Sequence, residues 1–228
     1  MGRKQSRLKL YAVVVLVAVI LLALVVFLVI QPSQGRAPGV KVGDEFVYDI
    51  IGTYNPDSAN ASVPENFYQL NMTEWYKITV TDVNSSKVSV DTVWRFTNGT
   101  ELNQPCTVDI NTGTTYPSSG FWAIFAANLK VNDVLRPSGM EQATINETRT
   151  TEYGAGVTRE TNVVTQVRSY TDQDDPTGST TMNEIVTIQF DKQTGMLVRL
   201  ADVSIYNNPQ ITLNISWKLE ESNVWTVS

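Results

Sequence analysis

Acid–base and metal chemistry in this chain must come from carboxylates, because its 228 residues include no histidine. That absence removes Ser-His-Asp and Cys-His nucleophilic sites, histidine-containing zinc sites and the commonest general base together. The densest carboxylates are Asp172, Asp174 and Asp175 in the stretch TDQDDPTG. Their oxygens suit calcium, but the spacing departs from the alternating calcium-loop pattern, so the stretch reads as a solvated acidic turn. A two-carboxylate glycosidase is compatible with the composition, yet no pair of acids is singled out by position. Cys106 is the lone cysteine and follows Pro105 without a basic neighbour. It reads as a packed thiol rather than a nucleophile, and no internal disulfide can form. Gly154-Ala155-Gly156 lacks the strand-to-helix context of a dinucleotide loop. The expectation is a non-enzyme with no catalytic residue, no metal and no cofactor.

Recognition through apolar surface is the chemistry left. The segment GFWAIFAANLKVNDVL, residues 120–135, is far greasier than the Thr- and Asn-rich sequence around it. Ser118, Ser119 and Gly120 offer an N-cap, and Phe121, Phe125 and Leu129, with Trp122 and Ala126, recur at helical spacing. This predicts a two-turn helix. Its plain role is to close a core; its functional role would be a lid over an apolar cavity. The wall of such a cavity is expected to come from Trp94, Phe121, Trp122, Phe125 and Trp217, which combine large apolar area with inward direction.

The elements that must hold these residues are strands. Tyr76, Ile78 and Val80 alternate with Lys77, Thr79 and Thr81; Val88, Val90, Trp94 and Phe96 alternate with Ser89, Asp91 and Arg95. The same period links Val186, Ile188 and Phe190, then Met196, Val198 and Leu200, and finally Ile211, Leu213, Ile215, Trp217 and Leu219. Turns are expected at 82–86, at Asn98-Gly99 and at Asp191-Lys192-Gln193-Thr194-Gly195. A hairpin of roughly 144–153 and 157–170 is polar on both faces and should lie beyond the core or along an edge. The count is about nine strands in an antiparallel meander. Val40-Lys41-Val42-Gly43-Asp44 and Leu129-Lys130-Val131-Asn132-Asp133 look like one loop used twice on entry to a strand.

Leu10 to Ile30 is 21 residues without charge, Gly or Pro, a helix of roughly 31 Å that would span a bilayer. Residues 1–9 carry Arg3, Lys4, Arg7 and Lys9 and no acid, which places the N-terminus in the cytoplasm and the remainder outside the cell. The run is longer than that of a cleaved signal peptide, so an uncleaved anchor is expected. Residues 31–39 are a Pro/Gly linker and 40–228 one extracellular antiparallel β domain. Beyond the span there are 13 basic and 23 acidic side chains, a net of −10. That charge argues against nucleic acid and anionic surfaces as partners. Six Asn-x-Ser/Thr triplets, at Asn60, Asn71, Asn84, Asn98, Asn146 and Asn214, are glycosylation candidates.

The stretches GVKVGDEFVY (39–48), FTNGTE (96–101), IFAANLKVNDVL (124–135), FDKQTGMLVRL (190–200) and SWKLEESNVW (216–225) together resemble uncharacterised archaeal proteins with one membrane anchor and an outward β domain. More loosely, the strand, DKQTG turn and apolar strand are similar to the curved half-barrel of LolA- and LppX-like lipid carriers. The fold implied is all-β with a short helix: an N-terminal transmembrane helix followed by a curved, half-barrel-like antiparallel sheet. The function expected is a membrane-anchored extracellular binding or presentation module enclosing a lipid-like ligand in an apolar cavity. Its partners would be the membrane through residues 10–30 and a lipid or another envelope protein. The alternative is a structural or adhesive, glycosylated surface module with a filled core.

Overall fold

The computed structural model describes residues 36–56, 65–139, 143–153, 156–171, 180–208 and 210–227. The expected span 10–30, the acidic turn at 172–179 and the Asn60 triplet lie outside these. Among the described residues no helix is long and apolar enough to cross a membrane.

Alternation writes itself directly into strands. Ten of them form one open antiparallel sheet: β1 (Glu45–Pro56), β2 (Thr73–Asn84), β3 (Lys87–Phe96), β4 (Glu101–Asp109), β5 (Thr115–Tyr116), β6 (Glu147–Tyr153), β7 (Val157–Thr171), β8 (Thr181–Asp191), β9 (Leu197–Asn207) and β10 (Gln210–Ser222). Their order across the sheet is β5-β4-β3-β2-β1-β10-β9-β8-β7-β6. Two five-stranded meanders are thus joined where β1 pairs with β10, from Phe46 opposite Ser222 to Pro56 opposite Ile211. Strands consecutive in the chain are neighbours in the sheet except β5 and β6, which occupy opposite edges. The chain between them therefore has to cross the sheet, and its described residues Phe121, Ile124, Phe125, Leu129, Leu135, Ala143 and Ile145 pack into the core on the apolar face.

That face is the core. Phe46, Tyr48, Ile50, Ile78, Val80, Val88, Val90, Val108, Ile188, Phe190 and Leu219 are buried in one cluster with Phe121, Ile124, Phe125 and Leu129 of the crossing segment. The sheet also bends. The Trp225 ring, just past β10, lies 5.7 Å from Phe46 of β1 and 5.9 Å from Tyr153 of β6. A flat sheet would hold those strands about 24 Å apart, at roughly 4.8 Å per strand. One indole can bridge them only because the sheet curls around the apolar side.

The helix predicted over 120–129 does not form. Residues 121–126 run without helix, joined to the rest by an isolated bridge between Ile124 and Met196. Phe125 N donates to Gly195 O (2.9 Å), Leu197 N to Ala123 O (3.3 Å), Ala127 N to Ala37 O (2.9 Å) and Asn128 N to Lys192 O (2.7 Å). The segment's backbone is satisfied by the β8–β9 turn, the start of β9 and Ala37, so it needs no internal helical bonds. Burial of Ala123, Ile124, Phe125 and Ala126 in succession shows why a one-sided helix does not serve here. The single helix among the described residues is elsewhere: α1, Glu65–Asn71, between β1 and β2. Phe67 of α1 packs against Gly52 of β1, where a Cβ would sit 2.9 Å from the ring. Asn71 Oδ1 accepts from Gly52 N at 2.8 Å, giving β1 an acceptor for its backbone beyond Tyr48, the last residue that it pairs with β2.

Two local devices hold the crossing segment. The DKQTG turn closes around Asp191, which is fully buried and accepts from Arg159 Nε (2.7 Å) and Nη2 (3.0 Å) and from Thr194 N (2.7 Å) and Oγ1 (2.8 Å). Four donors on one carboxylate are what let a charge sit in the interior. The two similar loops share one geometry. Lys41 N and Lys130 N each donate 2.8 Å to the Oδ2 of Asp44 and Asp133, with Gly43 and Asn132 at positive φ. Gly43 N and Asn132 N then donate to Val80 O and Ile145 O, both at 2.9 Å. Each loop begins a meander half, the first before β1 and the second before the approach to β6.

Candidate functional site

Between the apolar face and the start of the crossing segment lies a cleft of about 420 Å³. Its floor is aromatic by register: Tyr76 of β2 is opposite Trp94 of β3, and Trp217 stands on β10, which pairs with β1. The ring of Phe121 lies 6.2 Å from Tyr76, 6.1 Å from Trp217 and 6.0 Å from Tyr48, and Tyr76 meets Trp217 edge-on at 5.1 Å. Leu102, Leu197, Leu200 and Ala123 complete the apolar wall. Polar groups are few. Trp94 Nε1 donates to Thr73 Oγ1 (2.8 Å), Thr92 Oγ1 to Gln104 O (2.8 Å), and Gln104 Nε2 to Ser119 Oγ (3.1 Å).

Four of the five expected wall residues, Trp94, Phe121, Trp122 and Trp217, border this cleft. Phe125 does not. It is fully buried against Phe190, ring centroids 4.6 Å apart, because the segment is not helical and its side chain enters the core beside β8. Trp122 stays 39% exposed, its backbone oxygen held by Arg136 Nη2 at 2.5 Å. The Arg136 guanidinium lies 5.7 Å from the Trp122 ring and 4.9 Å from that of Phe125, a cation–π stack on both.

Trp122 and Leu200 also border a second cleft, of about 440 Å³. Here the lining turns polar: Arg136, Gln166, Arg168, Glu184 and Asp202 beside Val186 and Ile188. The signal for these residues was present in the strands. Asp202 occupies the inward phase of Val198, Leu200 and Asp202 on β9, and Glu184 that of Glu184, Val186 and Ile188 on β8. A carboxylate in an inward phase is a departure from alternation that sequence reading passed over. Glu184 Oε2 accepts from Tyr170 Oη at 2.8 Å and lies 3.6 Å from Arg168 Nη1. Asp202 Oδ1 is buried without a hydrogen bond to the described residues. Burial, with the charge of Glu184 adding and that of Arg168 opposing, raises the Asp202 carboxyl above its ordinary range.

Cys106 is buried, its Sγ 3.8 Å from Phe121 O, and burial pushes the thiol up. Of the glycosylation candidates, Asn84, Asn98 and Asn146 are exposed at strand ends and turns. Asn71 and Asn214 make side-chain hydrogen bonds to β1, at Gly52 N (2.8 Å) and Thr53 Oγ1 (3.5 Å). Comparison of the chain with family models and with curated proteins finds no match.

Proposed function

We propose that this chain is a membrane-anchored extracellular binding module that holds an apolar, lipid-like ligand between its sheet and the crossing segment. The observation that carries the reading is the aromatic cleft. Trp94, Phe121, Trp122 and Trp217 converge from three parts of the chain on one space of about 420 Å³, within the usual range of small-molecule pockets. Its few polar groups largely bond one another, so the ligand it suits is recognised by shape and apolar area. The curled, open sheet with a segment laid across its apolar side supports the similarity to half-barrel lipid carriers, and the apolar run 10–30 supports anchoring, with the domain outside the cell. No catalytic step is assigned.

The test is uptake of cis-parinaric acid by the full chain held in amphipol. All five tryptophans lie between 75 and 225, so energy transfer from indole to the polyene reports binding at the β domain and not at the anchor. Saturable transfer is expected, with at least a tenfold weaker Kd in Leu102→Arg, which puts a charge at a half-exposed position on the rim. A second reading, a glycosylated structural module with a filled core, is favoured by the complete burial of Ile124 and Phe125. It requires no saturable uptake at all, and that outcome would remove the binding reading.

A further inference from the structure

The two clefts share Trp122 and Leu200, so one molecule lying across that pair would have its chain among aromatic rings and its other end among Arg136, Gln166, Arg168, Glu184 and Asp202. Resting on the apolar-ligand reading, we infer that the second cleft receives the neutral, hydroxyl-rich head group of an amphiphile whose chain fills the first. Three observations select that chemistry. Among the described residues that line the space charge is balanced, two guanidiniums against two carboxylates; a charged head group would lose its hydration and gain no net attraction from them. Asp202 Oδ1 is a buried acceptor that makes no hydrogen bond among the described residues, and a hydroxyl supplies the donor it lacks. Planar carboxylate and guanidinium groups accept from and donate to neighbouring hydroxyls at once, while the half-exposed Trp122 indole offers an apolar face at the junction. A phosphate would meet Glu184 and Asp202, and an ammonium would meet Arg136 and Arg168.

Three probes with one tail separate the outcomes: hexyl glucoside, hexanoate and hexylammonium, each titrated near neutral pH into the full chain in amphipol and read by tryptophan emission. The glucoside is expected to bind at least about tenfold tighter than either charged probe, a difference of about 1.4 kcal/mol. In Asp202→Leu that preference should fall to within about threefold while the thermal midpoint stays level or rises, because an apolar side chain replaces a half-buried carboxylate whose Oδ1 has no hydrogen bond among the described residues. Asp202→Asn, which keeps the shape, should reduce the preference as well and serves if the leucine variant misfolds. Equal binding of the three probes, tighter binding of either charged one, or a preference that survives both substitutions overturns the head-group assignment and leaves the apolar cleft standing. Failure of all three to bind sinks both.

Discussion

Tyr76 shows what single side chains do in this sheet. It sits 8% exposed between Trp94, Phe121 and Trp217, and burial, only partly offset by its hydrogen bond with Thr92, pushes its phenol up to about 12. Tyr48, fully buried with Oη donating to Leu197 O at 2.8 Å, is raised in the same direction, as are Tyr153 and Cys106. An acid raised by folding keeps its proton longer in the native state. Its contribution is therefore complete below the unfolded value near 10 and is lost as pH climbs through the folded value. Tyr76 alone accounts for about 2–3 kcal/mol of stability that should disappear between about pH 10 and 12. Urea unfolding of the wild type at stepped alkaline pH is expected to show that fall, and Tyr76→Phe should flatten it by about that amount. An unchanged pH slope in the variant would place the alkaline sensitivity elsewhere.

At the scale of elements, the strands were legible and the crossing segment was not. Alternation marks β2, β3, β8, β9 and β10 because each has one dry and one wet face. The turns at Ser85-Ser86, Asn98-Gly99 and 191–195 stand where Asn, Ser, Asp and Gly occur. In 121–129 the helical spacing of Phe121, Phe125 and Leu129 is genuine, but it arises because all three meet the core, as Ala123, Ile124 and Ala126 also do. A window of sequence carries no sign of the partners that decide it, which are the carbonyls of Ala37, Lys192 and Gly195. Gly195 makes that contact possible: its φ is +75°, and a Cβ there would fall 2.0 Å from Phe125 O. For the site, the aromatic half could be read from residue type, whereas the polar half needed the register that sets Val186 opposite Asp202 and Arg168 opposite Glu184. The helix α1 was missed because seven residues hold too little periodicity. The crossing segment's role predicts unequal substitutions. Phe125→Ala should cost about 3–5 kcal/mol in chemical denaturation, as large core deletions do. Trp122→Ala should cost about 1 kcal/mol or less, since Trp122 is half exposed and held mainly through its ring contact with Arg136. Equal losses would contradict a segment in which Phe125 fills the core and Trp122 is left partly exposed.

For the molecule as a whole, the open sheet leaves a problem that Trp225 answers. Ten strands in one layer have two edges and one apolar face too broad for a thirty-residue crossing segment to cover unaided, so the face must fold toward itself. Trp225 is where it does: the ring meets Phe46 at 5.7 Å, Tyr153 at 5.9 Å and the Arg159 guanidinium at 4.4 Å. Through Arg159 the same contact reaches Asp191 and the turn that seats residues 123–128. The end of β10, the edge hairpin β6–β7 and the crossing segment therefore depend on one another. Their coupling predicts that Trp225→Ala costs about 3–5 kcal/mol and acts at a distance from its own strand. Amide exchange is the measurement that separates this from a simple loss of packing. Protection should fall in β6, in β7 and at Phe125 N and Asn128 N, while the β3–β4 amides, which have no tie to Trp225, should follow only the change in global stability. If exchange rises uniformly across the sheet, the curvature is held by the core as a whole and Trp225 is only one of its members.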